Sequence, residues 1–303
     1  MSTLSPEIRK EYVEAGRITR EVRELVEARG DWRNKSYLEL CNFVEENIRR
    51  LGGEPAFPTN VCADETAAHY TAEVEDPRII EETTGLLKID LGAHVNGFPA
   101  DTSTTLCYDD SLLDLLAAVK AAQLEALKVI RAETKTNEVG RVVEALAERR
   151  GYVPISNLSG HSVDEFVVHA GTSIPNVWSH SDEKFVLGKV YATEQFFTTK
   201  EGSGIVVDGK SRNIFSISSR RRTGKPELDK FLDLVWSKRK TLPFALRWFS
   251  AEYSKQQLET MISQLLKVRA VHVYPELVEE HGTPIAQAEN TVAITSAGPR
   301  ILT

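Results

Sequence analysis

Apolar positions recur at helical spacing in two pairs of segments, and each pair is followed by residues that alternate as strands do. The first segment predicts a helix over 6–29, with Ser5 as its cap, Pro6 in its first position and Gly30 at its end. The second predicts a helix over 37–51. Ser36 and Glu39 form a capping box there, and Leu40, Phe43, Val44 and Leu51 make the apolar stripe before Gly52-Gly53. Strand-like residues then run from about 64 to 107. The order starts again with a helix over 111–132, whose Leu112, Leu115, Leu116 and Val119 share a side, and another over 138–150, stopped by Gly151. Strand-like segments return near 164–170 and 187–199.

Helix, helix, glycine, strands thus occurs twice, at an offset of roughly 100 residues, which reads as an internal duplication with little identity between the halves. The halves, about 5–108 and 111–209 plus 273–303, would set their sheets side by side around a cleft in an α+β fold. The stretch of about 210–272 breaks the pattern. It carries the basic run Arg220-Arg221-Arg222 and helical segments near 226–239 and 254–268, and reads as an inserted helical subdomain.

Within the first strand region, Leu86-Leu87-Lys88-Ile89-Asp90-Leu91-Gly92 alternates, and Asn96-Gly97 is a strong two-residue hairpin turn. With those two residues at the tip, Asp90 faces Ser103 and Asp101 faces Gly92. Asp101 then lies diagonally from Asp90 on one face, while Leu87, Ile89 and Leu91 line the other. Two solvated aspartates on an exposed hairpin would show the same spacing. The apolar strand before them and the threonine-rich strand after them favour a site.

Composition bounds the rest. The chain has 303 residues, 41% of them hydrophobic, enough for a sizeable core, and its net charge of −7 gives no general pull toward nucleic acid or an anionic membrane. Cys41, Cys62 and Cys107 form no C-x-x-C pair, which suits a reducing cytoplasm. The first residues lack the apolar stretch of a secretory signal, and no apolar run approaches membrane-spanning length.

Three more potential ligands lie in strand-like surroundings. His161 follows Gly160 at the predicted start of a strand, and His169 follows at an even offset, which in one extended segment would place both rings on the same face. Glu194 and Glu289 are each a carboxylate within a strand-like run, and buried glutamate without a partner is rare. Asp90, Asp101, Glu194 and Glu289 repel one another at close range unless cations lie between them, so their assembly with His161 would argue for a two-metal centre.

Lys88-Ile89-Asp90-Leu91-Gly92, Asp101, Asn157-Leu158-Ser159-Gly160-His161, Glu194 and Gln287-Ala288-Glu289 together resemble the five-ligand signature of methionine aminopeptidases, in peptidase family M24. The similarity extends to Phe57-Pro58-Thr59-Asn60, Ala67-Ala68-His69-Tyr70, the stretch from His169 to Asn176, and Tyr274-Pro275. The long insert before Glu289 and the short N-terminus resemble the type II enzymes in their archaeal form. The resemblance departs at Gln195, where archaeal relatives usually carry proline, and at Ala288 and Asn290, where Phe and His are usual.

The resemblance implies the duplicated pita-bread fold and removal of the initiator methionine from nascent chains whose second residue is small. It implies two divalent cations (Co, Mn, Fe or Zn), with Asp90 on the first, Asp101 and Glu289 shared, and His161 and Glu194 on the second. A water between the cations would be the nucleophile, and Glu194 would also carry a proton toward the leaving amine. His69 would contact the scissile amide and His169 the carbonyl oxygen. Phe57, Val168, Phe196 and Tyr274 would line the methionine pocket with the two histidines. A monomer in the cytoplasm is expected, without specific nucleic-acid binding. The run Arg220-Arg221-Arg222 reads first as a solvated loop, with a transient ribosome contact as its alternative. Two alternatives share the fold. Xaa-Pro peptidases usually carry a large extra N-terminal domain, for which the residues before Asp90 leave no room, and non-catalytic pseudo-peptidases have typically lost ligands that are all present here.

Overall fold

The computed structural model describes residues 8–220 and 222–303. Helix α1 (Lys10–Arg29) starts later than its pattern suggests: Arg9 stands at its cap without a side-chain bond, and the expected cap at Ser5 and Pro6 lies outside the described residues. Helix α2 (Tyr37–Arg50) follows, with Ser36 Oγ accepting the Glu39 amide. The reciprocal half of the expected capping box is replaced: the Glu39 carboxylate accepts from Arg29 instead, tying α2 to α1. Val22, Val26, Leu40, Val44 and Ile48 pack with Leu87, Ile89 and Leu91 of the hairpin in one apolar cluster.

The second half repeats the plan. A short 3-10 turn over Asp110–Leu112, capped by Asp109, precedes α3 (Leu113–Val129), so the predicted single helix over 111–132 is divided at its start and ends earlier. Helix α4 (Asn137–Arg150) ends at Gly151, whose φ of 76° is left-handed, as the glycine there requires. Leu115, Val119, Val143 and Ala147 pack against Tyr191, Phe197 and Val292.

The two half-sheets do not stand apart around a cleft. They join into one antiparallel sheet whose order runs Leu86–Val95, Phe98–Cys107, Ile285–Thr295, Val190–Thr198, Ser159–Val163, Ser173–Pro175. The junction between Phe98–Cys107 and Ile285–Thr295 has only two paired positions, Glu289 with Ser103 and Asn290 with Thr102. Around them threonine side chains replace the ladder: Thr102 Oγ1 donates to the Glu289 carbonyl at 2.9 Å and Thr105 Oγ1 to that of Gln287 at 2.7 Å, while the Asp101 amide donates to Thr291 Oγ1 at 2.7 Å. The seam between the halves is therefore stitched by side chains. Among the described residues no helix is long and apolar enough to cross a membrane.

Residues 214–274 contribute the strands Ile214–Ile217 and Val271–Tyr274, with α5 (Pro226–Arg239) and α6 (Lys255–Lys267) between them. Phe231, Val235, Phe249, Leu258 and Leu265 give these elements an apolar cluster of their own, which Val74 joins from the first half. Arg220 and Arg222 both reach Asp233, and the Arg220 guanidinium lies over Trp236, so the two described arginines of the basic run are partly neutralised.

Candidate metal centre

The hairpin positions the first two acids as its register predicts. Asp90 pairs with Ser103 and Asp101 with Gly92. Leu87, Ile89 and Leu91 are sealed under α1 and α2, which forces Asp90 to the opposite face. The third acid comes from the seam, where Glu289 pairs with Glu194 on the neighbouring strand. Oxygens of Asp90, Asp101 and Glu289 lie within 4.8 Å of one another. His161 Nε2 stands 3.6 Å from Glu194 Oε1 and 3.8 Å from Asp101 Oδ2. All five residues thus converge.

Their surroundings fit cations. Asp90 Oδ1, Asp101 Oδ1 and Glu289 Oε1 are buried and have no hydrogen-bond partner among the described residues, a costly state for carboxylates unless a cation meets them. Burial pushes Asp90 up to about 7, and it pushes Asp101, Glu194 and Glu289 well above the usual carboxylate range, with neighbouring acids adding to the effect. His161 Nδ1–H donates to the Ser162 carbonyl, at 3.4 Å, which leaves the Nε2 lone pair facing the acids. Gln287 Nε2 donates to Asp90 Oδ2 at 3.4 Å and to Glu289 Oε2 at 3.3 Å, so one amide orients two acids.

A cavity of about 220 Å³ opens above this cluster. Asp90, Asp101, His161 and Glu194 line it, and Glu289 lies beneath. The walls include Phe57, Val168, Phe196 and Tyr274, together with His69 and His169. His69 has a left-handed φ of 64°, and its amide donates to Asn60 Oδ1 at 2.6 Å. Its Nδ1–H donates to the Pro275 carbonyl at 3.3 Å, so its second ring nitrogen is an acceptor. Burial, and then the nearby His169, push its pKa down to about 4, which keeps the ring neutral.

The even-offset argument for His161 and His169 fails. No strand runs over 164–170. The strand Ser159–Val163 places His161 at its centre rather than its start, and the chain then reverses between Asp164 and Val167. The two rings nevertheless meet edge to face with centroids 4.3 Å apart, because Ala170 returns to bond Ser162. The cavity also takes in Asn60, Asn157 and Pro243, which the sequence pattern does not single out as site residues. Asn60 stood in the family similarity as part of Phe57-Pro58-Thr59-Asn60, and the structure pairs it directly with Asp90.

The departures from the family pattern fall on the other side of the sheet from the acids. Ala288 joins the apolar cluster under α3 and α4. Asn290 Oδ1 accepts from Arg23 at 3.2 Å and from Thr303 at 3.3 Å. Gln195 is fully buried and bonds Thr193.

Residues 10–217 match the profile described as metallopeptidase family M24. The methionine aminopeptidase of Methanocaldococcus jannaschii is 36% identical over 97% of this chain and 98% of its own. That of Thermococcus onnurineus is 38% identical over 97% and 99%. Among solved structures, a thermophilic Arx1 superposes with a TM-score of 0.81 at 15% identity, covering 98% of this chain and 91% of that one. A methionine aminopeptidase from Thermotoga maritima gives 0.69 at 18% identity, covering 99% of each. The prolidase of Pyrococcus furiosus gives 0.62 at 16%, covering 99% of this chain but only 65% of that longer one. At these identities the structural likenesses speak to the fold alone, which is the pita-bread fold. On its sequence, the chain belongs to metallopeptidase family M24, among the methionine aminopeptidases.

Proposed function

We propose that this protein hydrolyses the bond after an N-terminal methionine when the second residue is small, acting on nascent chains as a cytoplasmic monomer. The observation that carries this reading is the joining of an acid-and-imidazole cluster to a cavity whose remaining walls include Phe57, Val168, Phe196 and Tyr274. Asp90, Asp101, His161, Glu194 and Glu289 would hold two divalent cations, Asp101 and Glu289 shared between them. When bound, such ions polarise a carbonyl and make a water acidic enough to be a nucleophile near neutral pH.

The chain's own groups do the rest. Phe57, Val168, Phe196 and Tyr274 bury the thioether side chain, which is worth about 2 kcal/mol for a side chain of that size. The acids attract the free α-amine, which restricts the enzyme to chain ends. Glu194 takes a proton from the attacking water and passes it to the leaving amine. His69, its tautomer fixed by Pro275, offers a lone pair to the scissile N–H. His169 at the cavity wall meets the developing oxyanion. Residues about 210–272 act as an inserted subdomain. A transient ribosome contact through the basic run is part of the proposal, although Arg220 and Arg222 pair with Asp233 at exposed positions.

The test is reconstitution of metal-free protein with Mn, Fe, Co and Zn separately, followed by release of methionine from Met-Ala-Ser and Met-Gly-Met. Turnover with at least one metal is expected. Faster cleavage of a Gly-Pro peptide would reassign the protein to the Xaa-Pro peptidases, and no cleavage with any metal would end the peptidase reading.

A further inference from the structure

The segment that follows α5 touches both walls of the side-chain cavity, and each wall belongs to a different half of the fold. On the first-half side, Arg239, itself buried, donates through Nη2 to the Ala56 carbonyl at 2.9 Å and to that of Pro243 at 3.0 Å. Ala56 immediately precedes Phe57. On the second-half side, Thr241 Oγ1 donates to the Phe166 carbonyl at 2.5 Å. Phe166 begins the return to Val168 and His169. Between these two bonds Leu242, with no exposed surface, packs in one cluster with Ala56, Phe57 and Val168. Pro243 then lines the cavity.

Phe166 needs such a hold. Its φ is 57°, a left-handed conformation that is unfavourable for a bulky side chain. Two contacts oppose relaxation of this turn. The Phe166 amide donates to the Gly97 carbonyl at 2.7 Å, at the tip of the hairpin, and the Thr241 hydroxyl holds the Phe166 carbonyl. A Cβ at Gly97 would lie 2.4 Å from the Phe166 ring, so the ring sits directly on the turn. The wall carrying Val168 and His169 is thus fixed by the hairpin tip on one side and by the segment after α5 on the other.

We propose that Arg239–Pro243 is a keystone that sets the width of the side-chain pocket, with Thr241 as a positioning residue for Val168 and His169 and Leu242 as the residue that fixes the spacing of Phe57 and Val168. This deepens the methionine-specific reading of the cavity and rests on it for the identity of the side chain bound. The Thr241 hydroxyl lies at an exposed position, so removing it tests the bond without opening the core.

The experiment compares the parent protein with Thr241→Val, Thr241→Ser and Leu242→Ala. Hydrogen exchange at the Phe166, Val167 and Ala170 amides reads the turn without turnover. Thr241→Val is expected to speed it about tenfold or more, and Thr241→Ser to restore it. In steady-state cleavage of Met-Ala-Ser, Thr241→Val is expected to raise KM about three- to tenfold and, as His169 loses its hold, to lower kcat about three- to tenfold, both restored by serine. Leu242→Ala is expected to lower the preference for Met-Ala-Ser over Leu-Ala-Ser by about tenfold. Unchanged exchange in Thr241→Val overturns the keystone whether or not the parent is active. In an active parent, an unchanged KM or an unchanged Met-to-Leu preference overturns it too. Failure of the parent to cleave any Met-peptide overturns the functional reading, and the exchange data still decide the keystone.

Discussion

In the first half of the fold both site acids lie on a single hairpin, with Asp90 and Asp101 held by an unbroken register of paired residues from Leu86–Cys107 to Val95–Phe98. In the second half the proposed ligands are scattered: His161, Glu194 and Glu289 come from three strands, and almost a hundred residues, including α5 and α6, separate the last two. The same plan of two helices over a sheet therefore brings site residues together by local pairing on one side and by long-range assembly on the other. The halves then share one seam, where Glu289 pairs with both neighbours, Ser103 and Glu194. Local pairing makes the first half independent of the insert for its register. The insert nevertheless braces that half: Arg247 bonds Glu45 of α2, and Asn213 donates to the Thr71 carbonyl.

Removing a ligand from each side tests the comparison most severely. Asp101→Asn is expected to lower kcat/KM for Met-Ala-Ser by at least about 10³-fold, the equivalent of several kcal/mol of metal-assisted chemistry, with circular dichroism unchanged. Glu194→Gln is expected to cost about as much. The metal-free forms separate the two roles: without cations both variants should melt above the metal-free parent, because each removes one of four mutually repelling acids. A metal-free Asp101→Asn that melts lower would show that the hairpin acid is structural rather than poised for a cation.

This division also decides what could be read from sequence. The hairpin was legible because its turn, Asn96-Gly97, and its alternation are local, and they fix which residues face each other. Helices α2 and α4 were legible for the same reason, through Ser36, Gly151 and their apolar spacing. The reversal at Asp164–Val167 was not, because Phe166 adopts a left-handed conformation that its residue type opposes and that only distant partners, Gly97 and Thr241, impose. The single continuous sheet was hidden too, since its seam depends on threonine side chains from strands nearly two hundred residues apart. The five residues proposed as ligands were singled out in sequence through the family signature. Gln287, which orients two of them, stood in that signature without a stated role.

Loss of the brace from the insert should have the next largest effect. Arg247 and Glu45 are both almost fully buried, Trp248 Nε1 adds a bond of 2.6 Å to Glu45, and Arg247 also reaches Thr71 at 2.9 Å. Arg247→Met leaves the Glu45 carboxylate buried without its cation, which is expected to cost about 3–5 kcal/mol in urea unfolding. Combining it with Glu45→Gln should recover part of that loss. A single variant within about 0.5 kcal/mol of the parent would mean that the first half stands without the brace.

An effect confined to acid pH distinguishes the hairpin tip. His94 Nδ1 accepts the Gly97 amide at 3.1 Å, so the ring is neutral in the fold. Burial, then the nearby Arg239, push its pKa down to about 3. The unfolded chain binds a proton near 6.5 and the folded one does not until about 3, so between these values the unfolded state holds more protons. Stability is present above about 6.5 and is lost as pH falls toward about 3, by at most about 1.4 kcal/mol per pH unit. His94→Asn keeps an acceptor for Gly97 and should flatten that slope. An identical acid limb in the variant would show that other groups govern it.

The smallest expected difference lies between the equivalent second helices of the two halves. Ser36 at the start of α2 accepts the Glu39 amide at 3.0 Å, so Ser36→Ala should cost about 1 kcal/mol. Thr136 occupies the matching position before α4 but caps nothing: its φ and ψ of −65° and −28° are already helical, and its hydroxyl is buried with no partner among the described residues. An unsatisfied buried hydroxyl opposes folding, so Thr136→Val, which replaces it with a methyl group of similar shape, should be neutral or stabilising by up to about 1 kcal/mol. The two substitutions are thus expected to move chemical-denaturation midpoints in opposite directions, although both residues immediately precede the second helix of their half. A loss at Thr136→Val as large as that at Ser36→Ala would mean that water satisfies the Thr136 hydroxyl, and the halves would then start their second helices in energetically equivalent ways.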